Sequence, residues 1–282
     1  MKKESIWLVP VGGLANRMKA IDSAVALSRQ CGSELHIVWF KDPGLNCRFD
    51  QLFAPIDRPG VTVTEASRLD LLRYDRPRRK NFFIPSLFQQ PAFDRRMYEM
   101  DTSRRFREHF DFEAWARGHK VYIAAFVYFY EPRTKWDRFA LFEPHPLLKQ
   151  EIETRRARFG AHTIGVHIRR TDNAISIAQS PTRLFVDRMQ QEIDRNADTT
   201  FYLATDSEED KALITARFGD RVFCSPHRAD RNSLEGMREA LIELYLLSHT
   251  RQVLGSVHSS YSETAAQIGH IPYELLQKKE PR

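Results

Sequence analysis

Thr163-Ile164-Gly165-Val166-His167-Ile168-Arg169-Arg170-Thr171-Asp172 is the stretch whose reading decides the fold. Its first six residues are rich in β-branched and apolar side chains and predict a short buried strand. Two adjacent arginines and an aspartate follow at the carboxyl end. In an open α/β sheet that edge faces the ligand crevice. Paired guanidinium groups at the tip of a buried strand are costly without an anion to meet, and the planar fork of Arg suits phosphate oxygens. A salt bridge to Asp172 or a solvated loop is the competing reading.

Outward from this strand the carboxy-terminal half alternates strictly. A helix is predicted to begin at Ser180-Pro181, with Phe185, Met189 and Ile193 on one face. Then come strand 200–204, helix 208–218, short strand 222–224, a long helix capped by Ser233, strand 252–254, helix 261–268 and a last strand at 272–276. Such alternation implies a parallel sheet covered on both faces. The amino end repeats the logic: strand Ile6 to Val11, the tight loop Gly12-Gly13-Leu14-Ala15-Asn16-Arg17, a helix ending at Cys31-Gly32, and strand Glu34 to Phe40. From Lys41 to about Arg117 prolines punctuate the chain and only short elements are expected. Another strand is expected from Lys120 to Tyr130. The expected architecture is therefore α/β, with two Rossmann-like domains at residues 1–150 and 151–282 whose parallel sheets face a central cleft.

Composition fits this picture. The 282 residues are 42% apolar and 11% aromatic, so a sizeable core is available and global disorder is excluded. The formal charge is +6, from 43 Lys and Arg against 37 Asp and Glu. Much of the excess lies between Arg68 and Arg107. A solvated face is the ordinary reading of that cluster; contact with an acidic polymer or an anionic membrane surface is the other. No aromatic–glycine nucleic-acid motif accompanies it, so no nucleic-acid partner is expected. Cys31, Cys47 and Cys224 are scattered and form no CxxC, which predicts neither a zinc site nor a disulfide framework and fits a reducing, cytoplasmic compartment. No run reaches membrane-spanning length.

Three further loops carry polar groups at strand ends. The Gly12–Arg17 loop lets backbone approach a ligand at a helix amino terminus, with Gly13 and Asn16 as its candidate contacts, although it is neither GxGxxG nor a Walker loop. Asp206 ends the strand at 200–204, either as a ligand for ribose or as a helix cap. Gly255-Ser256-Val257-His258-Ser259-Ser260-Tyr261-Ser262 offers hydroxyls and free backbone N–H groups, a phosphate cradle or plain capping serines.

Taken together these loops resemble one family. Gly165–Asp172 is similar to the HxRRxD motif of the α1,6- and α1,2-fucosyltransferases and the related protein O-fucosyltransferases. Residues 201–206 resemble the next block of the α1,6 enzymes, and Leu246 to Ser248 with Ser256 to Ser262 and Ala265 the third. The Gly12–Arg17 loop resembles their amino-terminal glycine–asparagine loop. The resemblance implies a GT-B fold, a GDP-fucose donor, inversion at the anomeric carbon, a glycan acceptor and no metal or other cofactor. Arg169 takes the place of the arginine on the donor's β-phosphate. His167 and Arg170 lie near ribose or phosphate, Asp206 and Glu243 fall on ribose and guanine, Ser259 and Ser260 receive the pyrophosphate, and Asn16 with Gly13 faces the donor from the amino-terminal half. Asp172 is the candidate base, with pairing to Arg170 as its alternative. The α1,6 enzymes carry a lysine after the motif's aspartate and a glutamate four further on; here those places hold Asn173 and Ile177. Glu243 stands one methylene longer than the family's guanine-reading aspartate, so GDP-mannose or another GDP-sugar is the alternative donor, and a non-catalytic binder of an acidic polymer is the remaining alternative.

Overall fold

The computed structural model describes residues 4–133, 136–170 and 174–278. The chain divides into two compact units, Met1–Glu143 and Pro144–Arg282.

The first unit is built on a five-stranded parallel sheet of β1 (Ser5–Pro10), β2 (Glu34–Trp39), β3 (Val61–Glu65), β4 (Arg95–Met97) and β5 (Lys120–Ala125), in the order β3-β2-β1-β5-β4. Ile6 and Leu8 of β1 are fully buried, as are Leu35 and Ile37 of β2 and Val121 and Ile123 of β5. The helix Leu14–Cys31 follows β1 directly and is buried on nearly every side, which is why its apolar stripe is interrupted by buried Arg17, Lys19 and Asp22. It ends at Gly32, whose φ of 68° is the left-handed C-cap that the glycine predicts. The Pro-rich stretch after β2 forms only short elements, including β3, β4 and the helices Asp70–Arg73, Ile84–Ala92, Glu99–Arg107 and Phe112–Ala116. The strand expected over the whole of 120–130 is shorter, ending at Ala125.

The second unit repeats the plan with β6 (Thr163–Ile168), β7 (Thr200–Thr205), β8 (Val222–Cys224), β9 (Val253–Ser256) and β10 (Tyr273–Leu276), all parallel in the order β10-β9-β6-β7-β8. Along β6 the alternation is strict. Ile164, Val166 and Ile168 enter a core with Phe185, Met189, Phe201, Leu203 and Ile214. Gly165 lies toward the other face, where an added Cβ would meet Leu247 Cδ2 at 2.9 Å, so the helix Leu234–Ser248 sits unusually close to the sheet. Ser233 caps that helix by accepting from Gly236 N at 3.1 Å.

Two local expectations shift. The helix after Ser180 is Thr182–Arg195 with Pro181 at the cap position; Ser180 Oγ instead donates to Leu276 O at 2.6 Å and accepts from Val257 N at 2.9 Å. A further short helix, Ala174–Gln179, precedes it. Each sheet reverses strand order beside its first strand, between β1 and β5 and between β6 and β9. Ligands of open α/β sheets bind outside the carboxyl ends of strands at such switch points.

Candidate functional site

In the second unit the switch point brings together the loops after β6, β7 and β9. His167 pairs in register with Gly255, and Ile168 with Thr205. The chain therefore leaves the sheet at Arg169, Asp206 and Val257 side by side. Ser256, fully buried, knits two of these exits: its Oγ accepts from Arg169 N at 3.2 Å and donates to His167 O at 3.3 Å. Arg169 is half-buried, with its carbonyl accepting from Ser176 Oγ at 3.2 Å and from Arg170 Nη1 at 2.9 Å.

The two arginines are not equivalent. Arg170 Nε lies 2.7 Å from Asp210 Oδ2 in an ion pair whose side chains are 12% and 11% exposed. Arg170 Nη2 donates to Thr182 Oγ1 at 2.8 Å, and its backbone N–H donates to Asp206 Oδ1 at 2.7 Å. Thr182 Oγ1 in turn donates to Asp210 Oδ1 at 2.6 Å. Arg170 thus fastens the loop after β6 to the first turns of the helices Thr182–Arg195 and Glu208–Phe218. Asp206 holds that loop through its carboxylate, while the capping role falls to its neighbour Ser207, whose Oγ accepts from Asp210 N at 3.2 Å. Asp172 lies outside the described residues.

Beyond β9, His258 adopts φ 55°, a left-handed turn that reverses the chain into the helix Ser260–Gly269. Ser259 occupies the N-cap position but makes no side-chain cap hydrogen bond. Its Oγ pairs instead with His167 Nδ1 at 3.1 Å, and the imidazole stacks at a tilt on Tyr261, 4.9 Å between ring centres. Ser260 is the first helical residue, half-buried. The amino end of a helix, with the macrodipole behind it, favours negative charge. Burial lowers the His167 imidazole to about 4, against the opposing pull of Asp206, so the ring is neutral near pH 7. Gly255 is required here by space: a Cβ would come within 2.5 Å of both Ser262 Oγ and Tyr273 Cε2.

Glu243 lies on the helix Leu234–Ser248, one turn beyond Glu239. Burial raises its carboxyl to about 8, and the neighbouring Glu239 adds to the rise. Glu239 is itself paired with Arg155 of the helix Pro146–Arg156, Arg155 Nη2 donating to Oε2 at 3.1 Å and Nη1 to Oε1. Tyr202 and Tyr261, both held well above the usual phenol range chiefly by burial, feel the Glu243 carboxyl as well. The Tyr202 hydroxyl is buried and makes no hydrogen bond among the described residues.

In the first unit the loop after β1 is set by Gly12 and Arg17. Gly12 has φ 87°, and a Cβ there would press within 3.2 Å of Asn16 Nδ2. Arg17 is fully buried: Nε donates to Gly12 O at 2.8 Å, Nη1 to Phe40 O at 2.5 Å, and Nη2 pairs with Asp42 Oδ2 at 2.9 Å, with the guanidinium over the Trp39 ring. Gly13 is the N-cap residue of the helix Leu14–Cys31 and Asn16 is half-buried in its first turn. Among the described residues no three His, Cys, Asp or Glu side chains gather as a metal centre would need, and no helix is long and apolar enough to cross a membrane. All three cysteines are free thiols.

The structure therefore gathers His167, Arg169, Arg170, Asp206, Ser259 and Ser260 at one sheet edge. Sequence reading missed Asp210, Thr182 and the Glu239–Arg155 pair as parts of this arrangement, and it placed Ser256 in the phosphate cradle without its tie to the end of β6. The signal for Ser256 was its place directly after a strand glycine; the others are long-range partners with no local signature.

No protein-family profile matches the chain. No curated relative matches it in sequence. Solved structures do. NodZ α-1,6-fucosyltransferase soaked with GDP-fucose matches with a TM-score of 0.65 at 20% identity, over 95% of this chain and 93% of that one. FUT1 of Arabidopsis thaliana in complex with GDP matches at 0.58 and 12% identity, over 99% of this chain and 71% of that one. POFUT1 in complex with GDP matches at 0.55 and 9% identity, over 98% of this chain and 99% of that one. At such identities the likeness is one of fold: the chain has the α/β fold, with two parallel five-stranded sheets, of these GT-B fucosyltransferases.

Proposed function

We propose that the chain is an inverting, metal-independent glycosyltransferase that moves fucose from GDP-fucose to a hydroxyl of a glycan acceptor. The observation that carries this reading is the hydrogen bond from Arg169 N to Ser256 Oγ, which ties the loop after β6 to the strand leading into the helix Ser260–Gly269, at the switch point of a sheet whose fold is that of solved fucosyltransferases. As the glycosidic bond breaks, negative charge builds on the departing diphosphate. A guanidinium on a clamped backbone and a row of helix N–H groups stabilise that charge without reorganising.

In this reading residues 151–282 form the donor domain and residues 1–150 the acceptor side. Arg169 meets the β-phosphate. Ser259 and Ser260 receive the pyrophosphate. His167, neutral and held by Ser259, shapes the ribose side. Asp206 accepts from ribose, with Arg170 fixing the loop between them. Glu243 reads guanine, which presents two adjacent N–H donors that a carboxylate can accept together. The roles of Gly13 and Asn16 at the donor and of Asp172 as base rest on the motif resemblance alone. A cytoplasmic setting fits the three free thiols.

GDP release from GDP-fucose, measured with and without candidate glycans and with EDTA present, tests the reading. Acceptor-dependent release that survives EDTA supports it. Release only from GDP-mannose would replace the donor, and salt-sensitive binding to an acidic polymer without affinity for GDP would replace the enzyme by a binder.

A further inference from the structure

The first unit carries an exposed surface, within residues 67–92, to which the proposed transfer assigns no residue role. Between β3 and β4 the chain runs through the helices Asp70–Arg73 and Ile84–Ala92, which pack on each other; Gln89 Nε2 donates to Arg73 O at 3.1 Å and to Asp75 O at 2.8 Å. The inner side of this segment covers the sheet: Tyr74 and Phe93 join the core at Tyr122, whose hydroxyl donates to Tyr74 O at 2.7 Å. The outer side is apolar and open. Phe82 is 83% exposed, Leu87 70% and Leu69 63%, with Phe83 and Phe88 about half exposed.

Phe82 and Phe83 adopt φ 52° and 58°, a left-handed pair that bulky side chains avoid. Their turn is fixed from below. Asn81 Oδ1 accepts from Arg78 N at 2.9 Å, and buried Asp75 Oδ2 accepts from Asn81 Nδ2 at 2.9 Å and from Arg78 Nη2 at 2.7 Å. Two aromatic rings are thus displayed outward with a fixed backbone beneath them.

The charge around them is predominantly positive. Residues 67–92 contain six Lys and Arg against two Asp. Both aspartates are engaged, Asp70 accepting from Ser67 Oγ at 2.7 Å and buried Asp75 holding Arg78 and Asn81. Arg68, Arg73, Arg79 and Lys80 are exposed and make no ion pair among the described residues. Exposed Phe and Leu bordered by unpaired cations match the two layers of a lipid surface, acyl boundary and anionic headgroup. A nucleic acid would satisfy the cations but leave the leucines without a partner.

We propose that this face docks on an anionic lipid bilayer, with Phe82, Phe83 and Leu87 entering the headgroup boundary and Arg79 and Lys80 meeting lipid phosphates. This goes beyond the transferase reading and does not depend on it. Co-sedimentation of the full chain with vesicles of phosphatidylcholine, with and without phosphatidylglycerol, tests it. Binding is expected only with phosphatidylglycerol and should weaken with salt. The pairs Phe82→Ser with Phe83→Ser, and Arg79→Glu with Lys80→Glu, should each weaken it on the order of tenfold or more. Arg183→Glu, on the other unit, should leave it unchanged, and thermal melts confirm that each variant is folded. Should the double Phe variant fail to fold, Leu87→Gln takes its place. Equal sedimentation with neutral vesicles, no sedimentation at low salt, or binding indifferent to both variants overturns the proposal. So does Phe82-dependent dimerisation without vesicle binding, which would make the patch a self-association face.

Discussion

Arg170 Nε lies 2.7 Å from Asp210 Oδ2, and this ion pair separates the tasks of two neighbouring arginines. The pair fastens Arg170 to two helices, whereas the Arg169 backbone is tied to Ser256 at the end of β9. Arg170 is thus a strut of the loop after β6, while the function proposed above gives Arg169 the diphosphate.

Arg169→Ala should abolish most transfer from GDP-fucose while leaving the melting temperature close to that of the parent. Arg169→Lys should recover little, because a single ammonium cannot take two phosphate oxygens in one plane. Steady-state turnover and a thermal melt on the same preparations decide it; near-normal turnover in the alanine variant would sink the phosphate role.

Arg170→Ala and Asp210→Asn should instead lower stability, by about 2–4 kcal/mol given that the pair keeps some solvent contact. Denaturant unfolding measures this. If Arg170→Ala cost nothing in stability yet abolished GDP binding, Arg170 would be a direct ligand rather than a strut.

Glu243 should make guanine recognition pH-dependent. Its carboxyl titrates at about 8, so the free protein holds it protonated near pH 7. Guanine's N–H donors call for the carboxylate. Binding GDP near pH 7 should therefore release a proton, and affinity should rise on the order of tens of fold from about pH 6 to about pH 8.5, below the ionisation of guanine itself. Calorimetry in buffers of different ionisation enthalpy counts the proton. Glu243→Gln should remove the pH dependence and weaken GDP more than UDP.

His167 acts on stability in the opposite pH range. Its folded-state value, about 4, lies below the ordinary 6.5, so the unfolded chain binds the proton more readily. The contribution is present above pH 6.5 and is lost as pH falls toward 4, up to about 3 kcal/mol. A melting-temperature profile of His167→Asn against the parent, flatter across this interval, is the expected outcome.

Gly255→Ala should destabilise the second unit by about 1–3 kcal/mol, because a Cβ there meets Tyr273 and Ser262 at 2.5 Å. Gly160→Ala, where nothing lies within 4 Å of the added atom, serves as the comparison. Equal melting temperatures for the two would contradict the crowding.

What the sequence discloses here is mainly what local pattern controls. The β-branched run of β6, the Ser233 cap and the Gly32 C-cap are each dictated by residues adjacent in the chain, and the structure has them where the pattern places them. The helix cap beside Asp206 was ambiguous by one position, since Asp206 and Ser207 are equally good caps; Arg170 N resolves it by occupying the aspartate. The segment after β2 hid β3 and β4 because a five-residue and a three-residue strand on sheet edges carry too little periodicity. The Thr182–Asp210 and Arg155–Glu239 contacts gave no local sign, because the partners are 28 and 84 residues apart.

The buried Arg17 binds the turn after β1 to the segment after β2 through Gly12, Phe40 and Asp42. These two stretches are consequently one unit of inheritance. Transplanting the glycine–asparagine turn into another scaffold will succeed only when residues 40–42 travel with it, and a chimera that splits them will strand a cation in the interior.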